Sequence, residues 1–136
     1  MVLIYVRRWK PERPFFLSNK TFTIIGHRGA PILAEENTME SFKKAFSTNL
    51  KGVEMDVQLS SDNKLIIHHD FYIKSDTGVN YDIQSTSFKK LKEIKNGDIP
   101  LLDEALSCLT KEGFVNIEIK CNQIKNTGIE KMVVSE

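Results

Sequence analysis

The chain has 136 residues, 27% of them charged, and a formal net charge of +1, so no global charge surplus points to nucleic acid or to a strongly acidic partner. Its hydrophobic share of 40% is ordinary for a soluble domain, and one domain is the expectation at this length. The apolar run Met1–Val6 is far short of the roughly 20 residues of a membrane span. Its flanking Arg7, Arg8 and Lys10 follow the run, the reverse of a secretory signal, so neither a transmembrane segment nor a signal peptide is expected. Residues 1–20 read as an N-terminal extension, packed on the domain or partly disordered, with an interfacial anchor as the alternative. The domain proper is expected over 21–136. Cys108 and Cys121 form no CxxC pair and no disulfide framework. They read as buried or half-buried thiols, compatible with a reducing cytoplasm, which is the expected location.

Phe22–Ile25 is a β-rich apolar run stopped by Gly26, the pattern of a buried strand. Asn37 has Glu40 three residues later and predicts a helix N-cap, with Met39, Phe42 and Ala45/Phe46 at helical spacing up to about Asn49. Gly52 opens a strand in which Val53, Met55 and Val57 alternate with Glu54, Asp56 and Gln58. Val57–Leu59 and Leu65–Ile67 flank Ser60–Lys64, a hairpin signal. Lys74–Thr86 is a polar stretch, followed by a short amphipathic turn with Phe88, Leu91 and Ile94. Pro100 precedes a helix with Leu102, Ala105, Leu106 and Leu109 on one face and Gly113 as its expected C′ stop. Phe114–Ile119 is a further strand, and Ile129–Val134 begins another helix. The alternation predicts an α/β fold of parallel strands joined by helical crossovers.

In such folds reactive groups gather at the C-terminal ends of the strands. The first predicted strand ends in Gly26-His27-Arg28-Gly29, the second carries Glu54 and Asp56, and the third carries Glu118 and Lys120. Glu54 and Asp56 are two apart and share a strand face, where they repel unless a cation or a shared proton relieves them. With Glu118 they make an oxygen set suited to Mg²⁺ or Ca²⁺. The spacing also suits a solvated face paired with Lys or Arg. With Asp62-Asn63 as a two-residue turn, His69 would lie opposite Asp56 and serve acid–base chemistry, leaving His68 structural; a longer loop would shift that pairing. His27 after a strand is either structural or, between glycines that allow close approach, part of the site. Arg28 and Lys120 are donors suited to phosphoryl oxygens.

Ile25-Gly26-His27-Arg28-Gly29, Glu36-Asn37-Thr38, Gly52–Val57, His69-Asp70, Thr77-Gly78, Ile99–Glu104 and Asn116–Lys120 occur in the order in which similar motifs occur in the glycerophosphodiester phosphodiesterase family. The chain resembles that family over about residues 22–120. The resemblance implies an α/β, TIM-barrel-like (PLC-like phosphodiesterase) fold. It also implies hydrolysis of glycerophosphodiesters to an alcohol and sn-glycerol 3-phosphate, within lipid and glycerol metabolism. On it, His27 and His69 are the general acid–base pair, Glu54, Asp56 and Glu118 hold a divalent metal (Mg²⁺ or Ca²⁺), and Arg28 and Lys120 neutralise the phosphate. Glu36 and Asn37 order the loop, with helix capping alone as the other role for Asn37. The implied partner is a small glycerophosphodiester or lysophospholipid-like substrate.

Two departures are mild: Glu35 stands where the family usually has Pro, and Lys74 where it usually has Arg. The larger one is extent. A full barrel has eight strands and typically about 250 residues, whereas this chain accounts for ~3 βα units plus a β-hairpin. Three accounts follow: a fragment of a longer protein, a truncated inactive product, or an incomplete barrel completed by a partner or by self-association; the first two are favoured. The rival functions are a non-catalytic metal- or phosphate-binding remnant and a phospholipase-like phosphodiester lyase.

Overall fold

The structure, a computed structural model, describes residues 23–109, 111–122 and 128–136. The expected extension over 1–20 and the start of the domain at 21 lie outside the described residues. In chain order the elements are β1 (Ile25–Gly26), α1 (Met39–Ser47), β2 (Gly52–Leu59), β3 (Leu65–Ile67), β4 (Tyr72–Lys74) and β5 (Asn80–Asp82). A 3₁₀ turn (Ile83–Ser85), α2 (Phe88–Ile94), α3 (Leu102–Leu109), β6 (Phe114–Ile119) and α4 (Ile129–Ser135) complete the order.

The sheet is organised around β2. Its first residues pair in parallel with β1, and Gly52–Val57 pair in parallel with all of β6 on the opposite edge. Its last three residues pair antiparallel with β3, on the same edge as β1. This is the expected parallel frame with an added hairpin, TIM-barrel-like but without a closed barrel. Because both edges and both faces of β2 are covered, seven of its eight residues are buried, including the polar Glu54, Asp56 and Gln58.

One apolar core lies on the Val53–Met55–Val57 face, filled by Phe42 and Ala45 of α1, Leu102, Ala105 and Leu109 of α3, and Ile129 of α4. These helices supply the apolar stripe at i, i+3, i+4 that parallel strands require on their covered face. A second core, Ile66, Ile73, Ile83, Leu91 and Ile99, joins the hairpin, the 3₁₀ turn and α2.

Several local expectations need correction. Asn37 is not the cap of α1: Thr38 is, and its hydroxyl accepts from Ser41 N–H. Just past the described end of α3, Gly113 N–H bonds the Leu109 carbonyl at 3.3 Å. A Cβ at Gly113 would lie 2.4 Å from the Lys51 carbonyl oxygen, so this glycine permits the close approach of the chain entering β6. The polar stretch after Lys74 is partly ordered as the β4–β5 hairpin, closed by Ser75 N–H to Val79 O (2.9 Å) and by Gly78 at φ +84°. The β2–β3 turn is longer than two residues, since Ser60 N–H reaches Lys64 O at 3.0 Å. The register moves by one, and His68 N–H, not His69, bonds the Asp56 carbonyl at 3.0 Å. Cys108 and Cys121 are exposed, against the expectation of buried thiols.

Candidate active site

The end of β1 turns sharply. Gly29 N–H donates to Gly26 O (3.1 Å), and a Cβ at Gly26 would meet Gly29 O at 2.2 Å. Arg28 itself has φ +55°, an uncommon conformation for a residue with a side chain. That conformation aims its backbone N–H at Glu54 Oε2 (2.9 Å). Ser41 of α1 braces the turn: its hydroxyl donates to Arg28 O (3.1 Å) and accepts from Ala30 N–H (2.8 Å). Thus α1 fixes the turn as well as packing the core.

In β2, Glu54 and Asp56 project to one face, as their spacing required, and the register sets Asp56 beside Glu118 of β6. Glu54, Asp56 and Glu118 each offer a carboxylate oxygen within 4.8 Å of the others. Burial pushes the Glu54 carboxyl above its ordinary range; the Arg28 N–H opposes this, and the charges of Asp56 and Glu118 add to it. Glu54 Oε1 is buried without a hydrogen-bond partner among the described residues, and Asp56 Oδ1 is buried with the Lys120 ammonium beside it at 3.2 Å. One orphaned anionic oxygen on Glu54, a buried Asp56 carboxylate beside it and a third, half-exposed carboxylate fit a hard divalent cation, which takes such oxygens directly. With no His or Cys in the set, zinc suits it less well.

The cations surround these carboxylates. Arg28 places Nε 3.2 Å from Asp56 Oδ2 and donates from Nη1 to Glu36 Oε1 at 2.8 Å. Lys120, on the same β6 face as Glu118, sits 3.2 Å from Asp56 Oδ1 and 2.7 Å from Glu118 Oε1. The Glu118 hydrogen bond is the main reason its ammonium is held above the usual lysine value. Asn37, at φ +57°, donates from Nδ2 to Asp56 Oδ2 (2.9 Å) and accepts from Asp56 N–H (3.3 Å). It therefore closes the stretch of β2 edge between β1 and β3.

His27 is exposed, with Nε2 3.8 Å from Glu54 Oε2. His69 lies in the turn after β3, and its Nδ1 is 2.8 Å from Asp70 Oδ1. A carboxylate there accepts from Nδ1–H, which leaves Nε2 of the neutral ring as the acceptor. The His69 ring bonds Asp70 rather than the acidic cluster. His68 is half-buried, and burial followed by the Lys95 charge pushes its imidazole down, in keeping with a structural part. Of the site-building residues, Ser41 and Gln58 had no site role in the sequence reading, and Asp70 entered it only within the His69-Asp70 motif. Each left a trace. Ser41 stands four before Ala45 on the buried helix face, Asp70 adjoins His69, and Gln58 continues the alternation of Glu54 and Asp56.

A parallel βαβ frame with acidic, basic and imidazole groups gathered at its strand ends defines a TIM-barrel-like protein of the phosphodiesterase type. Residues 27–136 match the model of the glycerophosphoryl diester phosphodiesterase family, and the chain belongs to that family. It is 32% identical over 125 residues to a glycerophosphodiester phosphodiesterase of Bacillus altitudinis, covering 81% of this chain and 50% of the relative. Among solved structures it is similar to a glycerophosphodiester phosphodiesterase from Thermotoga maritima, with TM-score 0.73 and 33% identity over 87% of this chain and 51% of that one. It is also similar to an Oleispira antarctica phosphodiesterase solved with the product sn-glycerol-3-phosphate, with TM-score 0.68 and 31% identity over 83% and 49% of the two chains. The chain spans about half the length of the relatives it matches.

Proposed function

We propose that this chain supplies the metal and acid–base half of a phosphodiesterase that hydrolyses glycerophosphodiesters, lysophospholipid-like ones included, to an alcohol and sn-glycerol 3-phosphate. The observation that carries the proposal is the Glu54–Asp56–Glu118 cluster, in which Glu54 Oε1 is buried without a partner among the described residues and Asp56 Oδ1 is met by the Lys120 ammonium. A bound Mg²⁺ or Ca²⁺ would polarise a phosphoryl oxygen. Arg28 and Lys120 provide donors for the remaining phosphate charge. Lys120, which now balances Asp56 and Glu118, is released for this role when those carboxylates hold a cation. His69, with its proton on Nδ1, presents Nε2 to take a proton from the attacking water, and His27 delivers one to the oxygen of the leaving alcohol. The product bound to the Oleispira antarctica relative supports this substrate class. Exposed Cys108 and Cys121 support a reducing, cytoplasmic setting. No helix among the described residues is long and apolar enough to cross a membrane.

The test is to incubate the purified chain with glycerophosphocholine and Mg²⁺ or Ca²⁺, measuring glycerol 3-phosphate and, by calorimetry, metal binding. Product with intact metal binding supports the proposal. Metal binding without turnover would mark a binding remnant, and an unopened cyclic phosphate would mark a lyase. In an active preparation, His69→Ala is expected to keep metal affinity but lose about 10²-fold in turnover.

A further inference from the structure

We propose that Gln58 is the positioning residue for His69, holding the imidazole in place through the backbone of residues 68–70; this rests on the role given to His69 above. Gln58 is fully buried. Its Nε2 lies 2.8 Å from His68 O, 3.1 Å from His69 O and 2.8 Å from Asp70 O. The β2–β3 ladder ends with the His68 N–H bond to Asp56 O, so these three carbonyls have left the strand pairing that would otherwise satisfy them. One buried amide gathers all three and curls the chain into a tight turn. The turn brings Asp70 Oδ1 to His69 Nδ1. Gln58 thereby fixes the origin of the imidazole, and Asp70 fixes its rotation and tautomer. Because Gln58 continues the β2 face that bears Glu54 and Asp56, the same rigid strand sets both the acidic cluster and the height of His69 above it. A misplacement of about 1 Å in such a group costs about 10²-fold in rate.

The chain has three histidines, so its imidazole resonances are few enough to follow individually. Labelled wild type is compared with Gln58→Met, which keeps the volume and loses the donors, and with Gln58→Glu, which keeps the shape and turns a carboxylate toward the three carbonyls. Should one variant fold poorly by circular dichroism, the other decides. Without metal, nitrogen shifts and relaxation report tautomer and ring order. The wild-type His69 ring is expected to be ordered and protonated on Nδ1, and in the variants to mix tautomers and lose order while His27 is unchanged. With Mn²⁺ as probe, wild type is expected to show broadening of His27 and His69. The variants are expected to bind Mn²⁺ within about twofold of wild type, because Gln58 bonds none of the three carboxylates, and to change the degree of His69 broadening while that of His27 is unchanged. A His69 ring with wild-type tautomer and order in a folded variant overturns the inference, whatever the metal does. Mn²⁺ that broadens no wild-type imidazole overturns the metal-site reading instead, and the metal-free measurements still judge Gln58.

Discussion

Glu54 carries the clearest tension in the molecule. It is 5% exposed, faces the negative charges of Asp56 and Glu118, and has one oxygen without a partner among the described residues. Its folded pKa is raised above the ordinary glutamate value, chiefly by burial, so ionising it in the metal-free fold works against stability. Through this group the metal-free chain is most stable below the unfolded value and loses that stability as pH rises through the folded one. Glu54→Gln is therefore expected to melt higher than wild type at neutral pH without metal, and to lose the rise in melting temperature that Mg²⁺ or Ca²⁺ gives wild type. Thermal melts with and without metal measure both. A metal shift retained in Glu54→Gln would remove Glu54 from the ligand set. Metal affinity is also expected to fall as pH drops through the raised Glu54 value, because the protonated acid is a poor ligand.

Turns and caps join the strands to the site. At Gly29, φ is +90° and a Cβ would lie 2.4 Å from Ser41 Oγ. Gly29→Ala is expected to cost about 1–3 kcal/mol, measured by urea denaturation, and to weaken metal binding because Ser41 braces Arg28 and hence Glu54. Asp62, in the β2–β3 turn, accepts from Phe88 N–H at 2.9 Å and from Ser60 Oγ at 2.7 Å, so one carboxylate ties the hairpin tip to the start of α2. These bonds, the Phe88 one first, hold its pKa below 3.8. Its stabilisation is complete above the unfolded aspartate range and disappears as pH falls through the depressed folded value. Asp62→Ala is expected to cost about 1 kcal/mol at pH 7 and less as pH falls through the depressed folded value. An equal loss at pH 7 and below that folded value would refute the electrostatic part of that role.

Across the molecule, two cores meet at β3, which gives Leu65 and Ile67 to one and Ile66 to the other, and α1, α3 and α4 cover one face of the sheet. Phe42, fully buried between α1 and this face, is expected to cost about 3–5 kcal/mol when truncated to Ala, enough to unfold a marginal domain. A bound divalent ion stabilises by mass action, about 2.7 kcal/mol at one hundred times its dissociation constant. Hydrogen exchange is expected to show that protection along β2 and β6, the two strands that bear the ligands. The edge of β6 away from β2 has no strand partner among the described residues. An unpaired edge of this kind is a pairing site, and concentration-dependent association in sedimentation velocity is the expected outcome for the chain alone.

Periodicity was enough to locate β2, β6, α1 and α3, because an element buried on one face must repeat its apolar residues at the period of its own backbone. The same parity put Glu54 with Asp56, and the ordered motifs made the family resemblance legible. Nothing local could choose between a two-residue and a longer turn at Ser60–Lys64, so only the folded chain showed that His68, not His69, bonds the Asp56 backbone. Nor could spacing show that Asn37 hands the cap of α1 to Thr38 in order to bond Asp56, or that Gln58 reaches the carbonyls of residues 68–70. Those contacts depend on where separately folded segments come to rest. Most of their partners are backbone groups, which every residue possesses and no sequence pattern distinguishes.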